Sequence, residues 1–259
     1  MADPGSGGPQ PFRAAALDGV PHGFFGREGG VSIGAVAGLQ VGFGAGDDPA
    51  AVAENRARAI AAVLPGVDLA MPYQVHSPDV AVVAEAVEGD ERPHVDALVT
   101  GTPGLLVGVV TADCAPVLLA DRQAGVVAAA HAGWRGAKEG VLTNTIEAMI
   151  AHGATRGNIA AAIGPAIAQE SYEVAEGFRD NFLADESENH RFFADGAPGH
   201  FQFDLPAFVA HRLSAAGVTA IEDLALDTYA DPARFYSFRR ATHRGEATYG
   251  RQGAFIGLR

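Results

Sequence analysis

The chain predicts a mixed α/β (α+β) fold: a single-domain layered sandwich of mixed β-sheet flanked by helices. Three observations carry this expectation. The 259 residues are 48% hydrophobic, enough to bury one large core near the upper size of a single domain. Apolar runs recur at strand length and are too uniformly apolar to leave a face for solvent. Segments with helical apolar spacing and explicit start and stop signals stand among them.

Taken in order, HGFFGRE at 22–28 reads as a short strand ending in the turn Gly29-Gly30. Asp48 and Pro49 supply the cap and first turn of a helix that runs to Leu64 and is stopped by Pro65-Gly66. Strands follow over 79–84, 105–110, 116–120 and 125–130. From Ala137 to His152 the residues Leu142, Ile146, Met149 and Ile150 fall at helical spacing, and Gly153 closes the helix. A strand over 158–163, a helix over 205–216 capped by Asp204, and strands over 218–224 and 253–258 complete the series.

Charge excludes some partners. Lys and Arg total 18 against 31 Asp and Glu, a formal net charge of −13, and a field of that sign repels nucleic-acid phosphates and anionic membranes. The first ten residues, MADPGSGGPQ, lack a basic start followed by an apolar run, so residues 1–12 read as a disordered Gly/Pro-rich tail before one domain over 13–259. No apolar stretch reaches the roughly 18 residues of a membrane helix. The expectation is a cytoplasmic protein, monomer or homodimer.

A single cysteine, Cys114, forms no internal disulfide and is to be weighed as ligand, nucleophile or plain core. It follows LLVGVVTAD, while His76 and His131 each close an apolar, strand-like stretch, and strand ends are where sites are built. Two imidazoles and a thiolate converging there would hold Zn²⁺ with a fourth position open. The separations, 76 to 114 and 114 to 131, match no closed structural zinc pattern, so a small buried thiol and core histidines remain the alternative. Asp113 reaches the same site only if its strand has broken; it is a candidate proton carrier or a turn residue. Gln74 shares the face of His76 and could orient a ligand or substrate. The glycine turn in HAGWRG (131–136), with Arg135 beside it and Arg27 before Gly29-Gly30, is a candidate phosphate contact, each arginine being otherwise a surface ion pair or turn brace.

Read together, HGFFGREGGVS (22–32), GDDPAAVAENR (46–56), QVHS (74–77), VDALVT (95–100), TADCAPVLLAD (111–121), HAGWRG (131–136), AIGPAI (162–167), FYSFRR and YGRQGAFIGL resemble the YfiH-like family. Its members are called laccase-domain or polyphenol-oxidase proteins and are also described as purine nucleoside phosphorylases. The resemblance implies a mixed α/β fold and a zinc held by His76, Cys114 and His131. It also implies phosphorolysis of adenosine, inosine and S-methyl-5'-thioadenosine to the base and a ribose 1-phosphate, with adenosine deamination as a second activity. Arg27 matches the arginine before GGVS, the expected phosphate contact; Asp113, Arg27 and Cys114 stand as the catalytic set. The family reads Ser-Leu-Asn where this chain has Gly38-Leu39-Gln40, and a cysteine where it has Asp227.

Other readings are a laccase-like copper oxidase, a cysteine hydrolase with Cys114 as nucleophile and His131 as base, and a metal-dependent binding protein. Multicopper clusters use many histidines, commonly in His-x-His pairs, and the nine here contain no such pair. Cu²⁺ could still occupy Cys/His ligands adventitiously.

Overall fold

The structure is a computed structural model describing residues 8–87 and 89–259. Among these, the first strands are β1 (His22–Phe24), β2 (Asp68–Ala70), β3 (Val80–Val82), β4 (Ala97–Thr100), β5 (Leu105–Thr111), β6 (Ala115–Asp121) and β7 (Val126–Ala132). After them come β8 (Ala160–Ile163), β9 (Glu173–Ala175), β10 (Phe193–Asp195), β11 (His200–Phe203), β12 (Ala220–Asp223) and β13 (Gln252–Gly257). The helices are α1 (Pro49–Val63), α2 (Trp134–Glu139), α3 (Val141–Ala151), α4 (Glu176–Leu183), α5 (Leu205–Ala215) and α6 (Phe238–His243).

The described residues form three sheets, in the orders β1-β13-β5-β2, β12-β8-β6-β7-β4-β3 and β10-β11-β9. The two larger ones are mixed: β2 pairs parallel with β5, β3 with β4 and β12 with β8, and the other neighbours are antiparallel.

Side chains alternate across a strand, so each strand feeds two layers. Leu118 and Ala120 of β6 and Val127 and Ala129 of β7 meet Val107, Val109, Ala254 and Ile256 of the four-stranded sheet. The alternate residues Val117, Leu119, Ala128 and Ala130 face Leu142, Ile146 and Met149 of α3 and Phe208, Val209 and Leu213 of α5. On the far side of the four-stranded sheet, Phe255 packs with Ala59 of α1 and with Met71. The layers therefore run helix, sheet, sheet, helix, which is why β5, β6 and β7 read as continuously apolar.

Both proline-started helices are capped as their sequences indicate. The Asp48 carboxylate accepts the Ala50 N–H, and that of Asp204 accepts the Ala207 N–H. Four expectations need correction. The helix read over 137–152 is two, α2 and α3, because Gly140 turns left-handed at φ 109° between them. The strand read over 22–28 stops at Phe24. PYQVHS is irregular chain, not a strand. The tail read over 1–12 ends earlier, since Pro9 is buried and Phe12 bridges to Phe24; residues 1–7 lie outside the described residues.

No periodic signal in the sequence marks the third sheet. Its strands are three or four residues long, and an aromatic cluster with α4 holds them: Phe193 and Phe182 each lie 4.9 Å from Phe203 between centroids. Trp134 at the start of α2 joins this cluster 5.0 Å from Phe178.

Leu118 is fully buried between the two large sheets. Leu118→Ala is expected to cost about 2–5 kcal/mol, read as a lower urea midpoint at unchanged m value.

Candidate metal centre and its cavities

The centre forms where the two large sheets part. After β5 in the four-stranded sheet, residues Ala112 to Cys114 carry the chain across to β6 in the six-stranded one. Asp113 makes that crossing at φ 92°, outside ordinary backbone, and three contacts hold it there. Its carboxylate accepts the Thr228 hydroxyl at 2.7 Å and the Arg239 N–H at 2.6 Å, and its carbonyl accepts the Ile167 N–H at 2.9 Å. The turn delivers Cys114 to the start of β6, beside His131 near the end of β7, which faces Pro116 in the ladder.

His76 arrives from the irregular segment before β3, at φ 61°. Asp96, fully buried ahead of β4, organises it. One Asp96 oxygen accepts the N–H groups of Val75 and Ser77 at 3.1 and 2.6 Å and the Ser77 hydroxyl at 3.1 Å. The other lies 2.7 Å from His131 Nδ1, which leaves Nε2 to face Cys114. Gly133 completes the cradle: a Cβ there would stand 3.0 Å from the Cys114 sulfur and 3.1 Å from the His76 ring.

Among the described residues this is the one group of three metal-binding side chains whose donor atoms converge, all within 4.8 Å of one another. His76 is exposed, Cys114 half-buried and His131 buried, so the centre is reached from one side. Burial pushes the Cys114 thiol up, but the charge and hydrogen bond of His131, aided by His76, outweigh it and bring it down to about 6. Burial likewise pulls His131 down, yet the thiolate and Asp96 raise it to about 9. Asp96 is opposed by burial and still held at about 2 by the His131 hydrogen bond and the backbone N–H groups. Without metal the Cys114 and His131 shifts reinforce each other and favour a thiolate beside an imidazolium.

Two cavities meet at this centre, both lined by His76, Ala112, Cys114 and Phe238. The larger, about 560 Å³, carries Arg56, Arg92 and Arg251. The smaller, about 180 Å³, lies against Trp134 and Tyr172.

Of the other residues singled out from the sequence, Gln74 lines the larger cavity. Its amide is engaged with Val110 by two hydrogen bonds of 2.8 Å, bracing the wall rather than reaching inward. Asp113 lines the smaller cavity, and both its carboxylate oxygens accept hydrogen bonds that hold the turn. Arg27 lies elsewhere, in a separate cavity, donating to the Ala37 and Pro232 carbonyls and stacking 4.7 Å above the Tyr236 ring. Arg135 is exposed and paired with Glu139. The structure brings neither arginine to the metal centre: the Arg27 donors brace a turn, and Arg135 pairs on the helix surface. Asp227 accepts from Ser171 and Tyr229, and Gln40 is buried with its amide on Gly42.

The sequence reading missed Asp96 and the three cavity arginines. A signal for Asp96 existed: a ligating histidine commonly donates its second N–H to a carboxylate, and VDALVT offers one at a strand start. Nothing local marks Arg92 or Arg251.

Fold and site together define a class: a mixed α+β protein with a two-histidine, one-cysteine centre at the junction of stacked sheets. The chain belongs to the family described as multi-copper polyphenol oxidoreductase laccase, whose profile matches residues 21–259. It is 43% identical over 241 residues to a purine nucleoside phosphorylase of Deinococcus radiodurans, covering 92% of this chain and 89% of that protein. A Neisseria meningitidis protein superposes with a TM-score of 0.86 at 36% identity, covering 97% and 99% of the two chains. YfiH of Bacillus licheniformis gives 0.80 at 28%, covering 92% of each.

A metal must displace the proton that His131 holds up to about pH 9, and below about pH 6 that of Cys114 as well. Zinc affinity of the metal-free protein is thus expected to rise about tenfold per pH unit from 6 to 9, with about one proton released, as buffer-dependent calorimetry would show. Asp96→Asn keeps the shape and removes the charge behind His131; a loss of about 10–100-fold in metal affinity is expected in competition with a chelator.

Proposed function

We propose that residues 13–259 act as one cytoplasmic catalytic domain, a zinc-dependent purine nucleoside phosphorylase. It would convert adenosine, inosine or S-methyl-5'-thioadenosine and phosphate to the free base and a ribose 1-phosphate. One observation carries the reading: in a close relative of proteins named for that activity, the His76, Cys114 and His131 centre opens onto a cavity with three arginines. Two imidazoles and one thiolate suit Zn²⁺ and leave a position for substrate or water; when bound, it would supply Lewis-acid polarisation. Copper accepts the same donors.

The chain's own residues supply the rest. Asp96 fixes the tautomer of His131 and holds the loop of His76. Gln74 and Asp113 brace the two strand-end segments that form the cavity walls. Arg56, Arg92 and Arg251 concentrate an anion in a chain that otherwise repels one. Adenosine deamination is a second activity of the same site, in which water adds at C6, the C6–N6 bond breaks and ammonia leaves with a proton from the water, giving inosine.

One geometric fact favours a second reading. Asp96, His131 and Cys114 stand in the order orienting acid, base and thiolate, as in a cysteine hydrolase. A metal-bound thiolate is no free nucleophile, so metal content separates the two. A copper-oxidase reading would need more ligands than the one converging group among the described residues.

Purified protein is expected to contain about one zinc per chain, and with adenosine to release adenine only when phosphate is present. Cys114→Ala should lose both metal and turnover. Metal retained in that variant, or no phosphate-dependent adenine from the zinc-loaded protein, would overturn the reading; inosine as the product would assign deamination instead.

A further inference from the structure

We propose that the two cavities divide the substrates: the arginine-lined cavity takes phosphate, the aromatic one takes the purine base, and the ribose lies across the metal centre between them. This rests on the phosphorolysis reading above and goes beyond it by assigning a side to each reactant.

Displacement at the anomeric carbon needs two compartments. A phosphate oxygen forms the new O–C1' bond as the C1'–N9 bond breaks, with the electron pair leaving on the base. The proton of hydrogenphosphate ends on the base, so the balance closes without another reactant. Nucleophile and leaving group lie on opposite sides of C1', and a centre flanked by two recesses offers a place for each. Here His76, Ala112, Cys114 and Phe238 are shared walls, so a group at the centre touches both cavities at once.

Charge decides which side is which. Among the described residues, the larger cavity is lined by three guanidinium groups and no carboxylate. Arg56 and Arg92 lie 3.6 and 5.2 Å from the Phe43 ring centroid, and Arg251 bonds the Tyr249 hydroxyl, so the cations are positioned by ring faces and a phenol. In a chain of net charge −13 such a concentration is an anion site. The smaller cavity is walled by Trp134, Tyr172, Ile167 and Leu205. Beyond the shared centre, its charged groups are Asp113 and Arg239, of opposite sign and both engaged: Arg239 donates to the Glu173 carbonyl at 2.7 Å and stacks 5.2 Å from Tyr172. A phosphate there would face the Asp113 carboxylate across apolar walls, whereas a flat neutral heterocycle would gain aromatic contact. At about 180 Å³ the space suits a bicyclic base without its sugar.

Trp134 is the only tryptophan in the sequence, so tryptophan emission comes from the wall of this cavity. Adenine added to the zinc-loaded full chain is expected to change that emission saturably, and inorganic phosphate to leave it unchanged. Arg92→Gln should raise KM for phosphate about tenfold or more, with the adenine dissociation constant and nucleoside KM unmoved. Leu205→Phe, which narrows the smaller cavity, should weaken adenine binding several-fold and leave phosphate KM alone; should it fail to fold, the emission titration and Arg92→Gln still decide. The division of sides is overturned if phosphate, not adenine, perturbs Trp134, or if Arg92→Gln raises nucleoside KM and spares phosphate. Loss of phosphate-dependent turnover in the unaltered protein sinks the phosphorylase reading instead, and is told apart because adenine would still perturb Trp134.

Discussion

A single buried carboxylate, Asp96, ties the site to the fold. With one oxygen it fixes His131 through Nδ1; with the other it gathers the N–H groups that shape the loop of His76. Its own carbonyl accepts the His131 N–H at 2.7 Å, so the carboxylate is anchored to the strand whose side chain it orients. A charge with no exposure survives in such a place only when every lone pair is engaged, and here several donors share it. Two ligands that lie far apart in sequence thus depend on one group that is not itself a ligand.

The layered core explains why the site sits where it does. The two large sheets are held face to face by Leu118, Val127, Val107 and Ile256, and the chain must cross from one sheet to the other after β5. That crossing, Ala112 to Cys114, is too short for regular structure. The left-handed turn at Asp113 satisfies it at a conformational cost that the Thr228 and Arg239 contacts offset. The cysteine emerges at the mouth of the inter-sheet space, beside the one histidine that β7 points toward it. The same crossing separates the arginine-lined cavity from the aromatic one.

The third sheet and its phenylalanine cluster bear on function through Trp134 and Tyr172, which connect the cluster to the smaller cavity. The contrast between the cavities follows from their elements. Cations come from α1, from the chain before β4 and from the chain before β13, whereas the aromatic walls come from α2 and from the segment that leads into β9.

The sequence by itself determined the apolar strands and both proline-started helices, because periodicity and caps are local signals; strand-end placement left the three residues of the centre open, and QVHS, TADC and HAGWRG pointed to them through the family resemblance. It misjudged the Gly140 break and missed the third sheet, where short strands depend on an aromatic cluster assembled from distant segments. Only the tertiary structure decided that Arg27 and Arg135 serve turns and surface while Arg56, Arg92 and Arg251 line the cavity. It also decided that Asp113 holds a turn and that Asp96 orients a ligand. The physical reason is the same in each case. A guanidinium or carboxylate takes its role from the groups that surround it, and most of those groups, such as His131 beside Asp96 and Thr228 beside Asp113, come from distant parts of the chain.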